Sequence, residues 1–152
     1  MREIESGLEQ RCAFCRELVP ETEEERHKQV MKRVKKNCPV AMCHMGKMRL
    51  NEGDYETALK YLTKAAGLGD ATAHYNLSVM YHKGEGVEKD TEKVIYHFEE
   101  AAIGGHHMAR HYLGCSELKT NRYERARKHF IIAANLGDHD SLEGLRQLYA
   151  DG

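Results

Sequence analysis

Apolar residues along the chain recur three or four positions apart, which is the period of an amphipathic helix and not of a strand. Ala73, Leu77 and Tyr81 share one helical face, and a second stripe runs from Val94 through Phe98 to a pair of alanines. Glycine, asparagine or aspartate, residues that favour turns, bound these stripes. The pattern predicts an all-α protein built from short helices in antiparallel pairs.

The pattern of paired helices occurs three times. Each predicted second helix ends in two alanines and is followed by a glycine that suits the left-handed end of a helix. The glycines are 36 and 32 residues apart, and a period in the thirties is typical of a helical-repeat solenoid. These marks are Ala65–Ala66 with Gly69, Ala101–Ala102 with Gly105, and Ala133–Ala134 with Gly137.

The register of these marks divides the chain. We predict a right-handed helical-hairpin solenoid of about three repeats plus a terminal helix, preceded by a separate helix with acids in its first turn and bases in its last. Asp90 should cap the second helix of the second repeat, and Asn121 should take a left-handed turn in the third. Arg146 falls where Gly46 and Gly114 stand, which suits a terminal helix. The predicted segments are a flexible tail at 1–20, a helix at 21–37, and a repeat domain at 38–152 with repeats at 39–70, 71–106, 107–138 and, in part, 139–152.

Three features resemble a known family: the Lys-Ala-Ala block from Lys64 to Gly69, the step from Ala73 to Leu77, and the Tyr-x-x-Gly-x-Gly-Val turn that begins at Tyr81. Together they are similar to Sel-one-like repeats (SLR) of the tetratricopeptide-like superfamily. The resemblance extends over residues 39–149. It implies an α-helical solenoid that acts as a scaffold or adaptor for a protein or peptide partner, with no catalysis.

In such solenoids the first helix of each repeat lines a concave face that binds partners. By analogy with tetratricopeptide grooves, an asparagine on this face would pair with the backbone of a bound peptide. The alternative is that these side chains pack between neighbouring repeats. By register, the predicted groove consists of Cys43, Lys47, Tyr75, Asn76, Val79, His82, His111 and Cys115.

A Cys-x-x-Cys pair near the N-terminus, Cys12 and Cys15, resembles the last two zinc ligands of a RING finger. Too few residues precede it for the other six ligands, so we expect it to bind zinc only as part of a complete RING. Cys38 and Cys43 are poorly placed to complete the site, because the helix expected between the pairs would span about 22 Å. The alternative function is therefore the substrate-binding part of a RING-type ubiquitin ligase whose RING is mostly missing.

Composition and the absence of certain motifs narrow the range of possible functions. The 23 basic and 24 acidic residues nearly cancel, which argues against a nucleic-acid partner. With no signal peptide or apolar run of membrane-spanning length, we expect a cytoplasmic or nuclear monomer whose five cysteines stay reduced. No nucleophile–base motif or phosphate loop is visible, so neither enzyme activity nor a cofactor is expected. His107 and His111 have the spacing of a metal-binding pair, but ordinary surface histidines are the alternative.

Overall fold

A computed structural model describes residues 22–150 of the chain, and it confirms the prediction of an all-α fold. Within these residues there is no strand, and no helix is both long enough and apolar enough to cross a membrane. The helices are α1 (Glu23–Lys35), α2 (Pro39–Asn51), α3 (Tyr55–Gly67), α4 (Ala71–Lys83), α5 (Thr91–Ile103), α6 (His107–Lys119), α7 (Tyr123–Asn135) and α8 (His139–Ala150).

The first helix, α1, belongs to a structural unit of its own that ends at Asn37. The Thr22 hydroxyl accepts a hydrogen bond from the Glu25 N–H at 3.2 Å and so caps the helix. Three glutamates occupy the first turn and three basic residues the last, an arrangement that favours the helix dipole.

The second unit begins at Cys38 and forms the solenoid. We call α2, α4, α6 and α8 the A helices and α3, α5 and α7 the B helices. Each A helix packs against the B helix that follows it, and each B helix packs against the next A helix. Equivalent B-helix residues fill the core, since Leu62, Phe98 and Phe130 are all 3% exposed or less. The alanines Ala65, Ala101 and Ala133 are fully buried and let the helices approach closely.

Two A-helix glycines mark the closest approach within a repeat. A Cβ on Gly46 would lie 2.6 Å from Cγ of Leu62, and one on Gly114 would lie 2.7 Å from Cε1 of Phe130. Atoms at such distances would clash, so a larger side chain at either glycine would have to displace the leucine or the phenylalanine. Arg146 holds the same register position on α8, where its side chain is 82% exposed. A further B helix packed in the same register would meet this arginine.

The turns between the helices have the left-handed residues and the helix cap that the sequence predicts. The glycines after the three B helices, Gly69, Gly105 and Gly137, are left-handed, with φ of 87°, 85° and 93°. Asn121 is also left-handed, at φ 57°, and Asp90 accepts a hydrogen bond from the Lys93 N–H at 3.0 Å. Each of the three glycines after a B helix directly precedes the residue before the next A helix, which is Asp70, His106 or Asp138, and these residues help to form the candidate site.

Candidate functional site: the A-helix stripe

One face of each of the first three A helices carries a row of residues spaced by four, and we call these rows the A-helix stripe. Residues four apart on a helix lie on the same side. The stripe holds six of the eight predicted groove residues, and Asn76 and His82 flank it. Its members are Cys43, Lys47 and Asn51 on α2, Tyr75, Val79 and Lys83 on α4, and His111, Cys115 and Lys119 on α6.

The first residue of each row faces the start of the next A helix. Tyr75 stacks on His106, with ring centroids 4.3 Å apart and planes 15° apart. His111 Nδ1 lies 3.2 Å from a carboxylate oxygen of Asp138. These contacts favour the alternative of packing between repeats for this end of the stripe.

Cys43 makes the equivalent contact with Asp70 and is only 4% exposed. Burial, followed by the negative charge of Asp70, raises the pKa of its thiol to about 12. Asn76 lies beside it, with Nδ2 3.9 Å from the sulfur, and the same nitrogen donates to the Thr72 carbonyl at 2.8 Å. Cys43 is therefore a neutral, buried thiol that offers no surface to a partner.

The middle and last positions of the stripe are open to solvent. Lys47, Lys83 and Lys119 are exposed, one on each of three successive A helices. Val79 is half-buried and His82 is exposed beside the stripe, with its ring centroid 6.2 Å from that of Tyr112. The structure therefore separates the predicted groove residues into an inter-repeat contact and an accessible surface.

The first three A helices are also more basic than the B helices. Helices α2, α4 and α6 carry five lysines or arginines and one acid, whereas α3, α5 and α7 carry six basic and five acidic residues. Of the three exposed stripe lysines, Lys83 lies 3.5 Å from a carboxylate oxygen of Glu85. Exposed pairs of this kind contribute little and can exchange partners. A chain of net charge −1 thus presents a locally positive face.

At the junction of α6 and α8, four polar side chains meet. His111 Nε2 lies 3.4 Å from the Cys115 sulfur, and His111 Nδ1 lies 2.9 Å from the Ser141 hydroxyl. Asp138, which is 8% exposed, accepts a hydrogen bond from the Ser141 N–H at 2.8 Å and so caps α8. Sequence reasoning missed Asp138. Its signal was the repeat register, in which Asp70 caps α4 in the same way.

A second histidine cluster lies between α4 and α5, away from the stripe. His74 and His97 approach with their Nδ1 atoms 3.0 Å apart, so only one of these nitrogens can carry the shared proton. His97 also stacks on Tyr81, with centroids 5.7 Å apart. Burial, then the neighbouring His74 and Lys93, lowers the pKa of His97 to about 4.

The candidate metal ligands that the structure describes do not form a metal site. In the part of the chain that the structure describes, no three His, Cys, Asp or Glu side chains are placed to hold a metal ion. His107 and His111 each direct Nδ1 toward Asp138, at 3.3 Å and 3.2 Å. Cys12 and Cys15, with the predicted flexible tail, lie outside the described residues. The RING hypothesis therefore stays a prediction.

Comparisons with known proteins identify a repeat family with this architecture. The family described as Sel1 repeat matches residues 39–70, 71–106 and 108–138. HcpC of Helicobacter pylori, named as a candidate beta-lactamase, is 36% identical over 55 residues, which are 36% of this chain and 19% of that protein. DAP3-binding cell death enhancer 1 of Mus musculus is 29% identical over 93 residues, which are 61% of this chain and 16% of that protein. The chain thus aligns with less than a fifth of the length of either relative.

Two solved structures share the fold. A Sel1 repeat protein from Oxalobacter formigenes superposes with a TM-score of 0.72 at 23% identity, covering 81% of this chain and 98% of that one. The protective antigen c5321 of uropathogenic Escherichia coli, described as displaying an SLR fold, superposes with a TM-score of 0.73 at 27% identity. That superposition covers 83% of this chain and 29% of c5321. Both support a solenoid of helical hairpins.

Proposed function

Because this chain belongs to the Sel1 repeat family, whose fold typically mediates protein–protein interaction, we propose that it is a non-enzymatic scaffold that binds an acidic segment of a partner protein on the A-helix stripe. The inner side of a curved solenoid is the usual binding surface. Direct packing of α2 against α4 supports placing the A helices on that side.

The choice of an acidic segment rests on the positive charge of the exposed lysines in the stripe. Lys47, Lys83 and Lys119 lie one on each of the first three A helices, and all three are exposed. Neighbouring packed helices lie about 8–10 Å apart, so cations on successive A helices suit an extended chain that crosses several helices. Such a surface attracts acidic partners and repels basic ones.

Apolar and polar groups between the lysines would add specificity. Val79 is half-buried at the middle of the stripe, and the exposed His82 ring stands beside it. The Asn76 amide nitrogen already donates within α4, which leaves its carbonyl oxygen as the group for a peptide N–H. Tyr75, His111 and the buried Cys43 support this surface from the repeat junctions.

The proposal is tested by selecting peptides from an unbiased random display library on the intact chain. We expect the enriched peptides to be acidic and their binding to weaken with added salt. Their affinity for a chain with Lys47→Glu and Lys119→Glu should fall at least about tenfold, because two attractive contacts become repulsive. Fluorescence polarisation with labelled peptides gives the dissociation constants.

The matched control carries Lys64→Glu and Lys128→Glu, the same charge change at exposed positions of α3 and α7. Its affinity for the selected peptides should stay within about twofold of the unaltered chain, since distant surface charges are largely screened. Equal weakening in the two double variants, or enrichment of basic or uncharged peptides, would refute the acidic partner.

A further inference from the structure

We propose that Cys115 is a nucleophilic thiol, activated by His111 and Asp138, which is covalently modified by α,β-unsaturated carbonyl compounds. This goes beyond the scaffold function and assigns chemistry to a cysteine that the groove hypothesis treats only as surface. It rests on the meeting of a thiol, an imidazole and a carboxylate, which are supplied by α6 and by the start of α8.

The surroundings favour one tautomer of the imidazole. An oxygen of the negatively charged Asp138 carboxylate lies 3.2 Å from Nδ1, and this charge favours the ring proton on that nitrogen. The Ser141 hydroxyl, at 2.9 Å from the same nitrogen, further restrains the ring. In that tautomer Nε2 carries no proton, and it lies 3.4 Å from the Cys115 sulfur, within the distance accepted for hydrogen bonds to sulfur. The imidazole can therefore accept the thiol proton, and the buried carboxylate stabilises the resulting cation.

The resting thiol needs such a base. Burial is the main cause that raises the pKa of Cys115, so the sulfur is protonated at neutral pH. The charged or titratable groups around the pair are His107 and Lys119 on α6 and Asp138 at the start of α8, while α7 contributes the Phe130 ring, whose centroid is 5.5 Å from that of His111. Among the described thiols Cys43 is buried, whereas Cys115 is half-buried on an open face.

The reaction is a conjugate addition that needs no oxidant and releases no leaving group. His111 Nε2 takes the thiol proton as the sulfur forms a bond to the β-carbon. The carbon–carbon π bond breaks, and its electron pair moves onto the carbonyl as an enolate. The imidazolium then returns the proton to the α-carbon, which leaves a thioether on Cys115 and a neutral His111. No group is released in the addition, and the thioether occupies the sulfur, so each chain carries one adduct at Cys115 and does not turn over.

Acrylamide, a slow α,β-unsaturated amide, is the probe. The reduced chain is treated near neutral pH, and tandem mass spectrometry gives the rate at each cysteine, including Cys38 and Cys43, which share the tryptic peptide 37–47. We expect Cys115 to react about tenfold faster than Cys38, because a positioned base raises its reactivity. A Cys115 rate equal to or below that of Cys38 would overturn the proposal.

Two variants test whether the imidazole of His111 is the base that activates Cys115. His111→Asn keeps a donor toward Asp138 but removes Nε2, and should slow Cys115 about tenfold. His44→Asn changes an exposed histidine on α2, away from this cluster, and should leave the Cys115 rate within about twofold. Equal rates in both variants would contradict the role of His111. Continued protection of Cys43 shows that each variant remains folded.

The pH profile provides a readout that a merely structural role would not alter. The Cys115 rate should level off well below the thiol range of about 8.5, because the imidazole takes the thiol proton. In His111→Asn the rate should instead keep rising through the thiol range. Asp138→Asn retains the capping group and should move the profile toward that of His111→Asn, because Asp138 acts through the imidazole as a positioning residue. If the pH profile of the Cys115 rate is unchanged in both variants, His111 and Asp138 do not activate the thiol.

Discussion

Replacing Phe130 with alanine should lower the free energy of unfolding by about 3–5 kcal/mol, the usual cost of emptying a buried aromatic site. Phe130 is 1% exposed, and its ring contacts both A helices that flank α7. A Cβ on Gly114 of α6 or on Gly144 of α8 would lie 2.7 Å and 3.2 Å from ring atoms. The ring therefore fills space that neither glycine can fill, and its loss leaves a cavity.

Because repeats in a solenoid depend mainly on their neighbours, the loss should be greatest at α7 and α8. Urea unfolding followed by circular dichroism gives the total change, and amide hydrogen exchange locates it. The neighbouring residue provides the control. Ile131 is 41% exposed, so Ile131→Ala should change stability by no more than about 0.5–1 kcal/mol. Similar losses in the two variants would show that Phe130 does not join the repeats as described.

Stability should also fall as the pH is lowered from about 6.5 toward 4, the range between the ordinary histidine pKa and that of folded His97. In this range the unfolded chain binds a proton at His97 that the folded chain excludes, so protonation favours unfolding. The shift alone corresponds to about 3 kcal/mol. Since this ring is partly solvated, about 1–2 kcal/mol is the realistic contribution.

His106 and His129 add to the same trend, because burial lowers the pKa of each. The contribution of His97 is isolated with His97→Gln, which cannot take a proton. Urea unfolding at a series of pH values should show a shallower loss of stability in this variant between pH 6.5 and 4. His44→Gln, at an exposed position, should keep the full slope. If His97→Gln loses stability as steeply as the unaltered chain, the burial argument is wrong.

The sequence was sufficient for the solenoid because its signals are local and repeated. The alanine pairs and the left-handed glycines at positions such as Gly69 and Gly105 fixed the helix register, and the structure confirms it. The repeat register alone shows that Gly46 and Gly114 occupy equivalent positions. Their physical reason, the close approach of Leu62 and Phe130, needed the packing.

The division of the stripe could not be predicted, because it depends on contacts between repeats. Whether Tyr75 points to solvent or stacks is decided by His106, which follows it by 31 residues. The same holds for His111, which meets Asp138 across the next junction. Spacing within a single helix predicts which residues share a face, but not which of them the next repeat covers.

Binding of an acidic segment on the A-helix stripe is the central claim, and amide NMR titration tests it most directly. Unlabelled acidic peptide from the selection is added to isotopically labelled chain, and shift changes are mapped by residue. The proposal predicts that the largest changes cluster on α2, α4 and α6 around Lys47, Val79 and Lys119, with little change on α3, α5 and α7. Shift changes that cluster on the B helices, or that spread evenly over both sets, would contradict it.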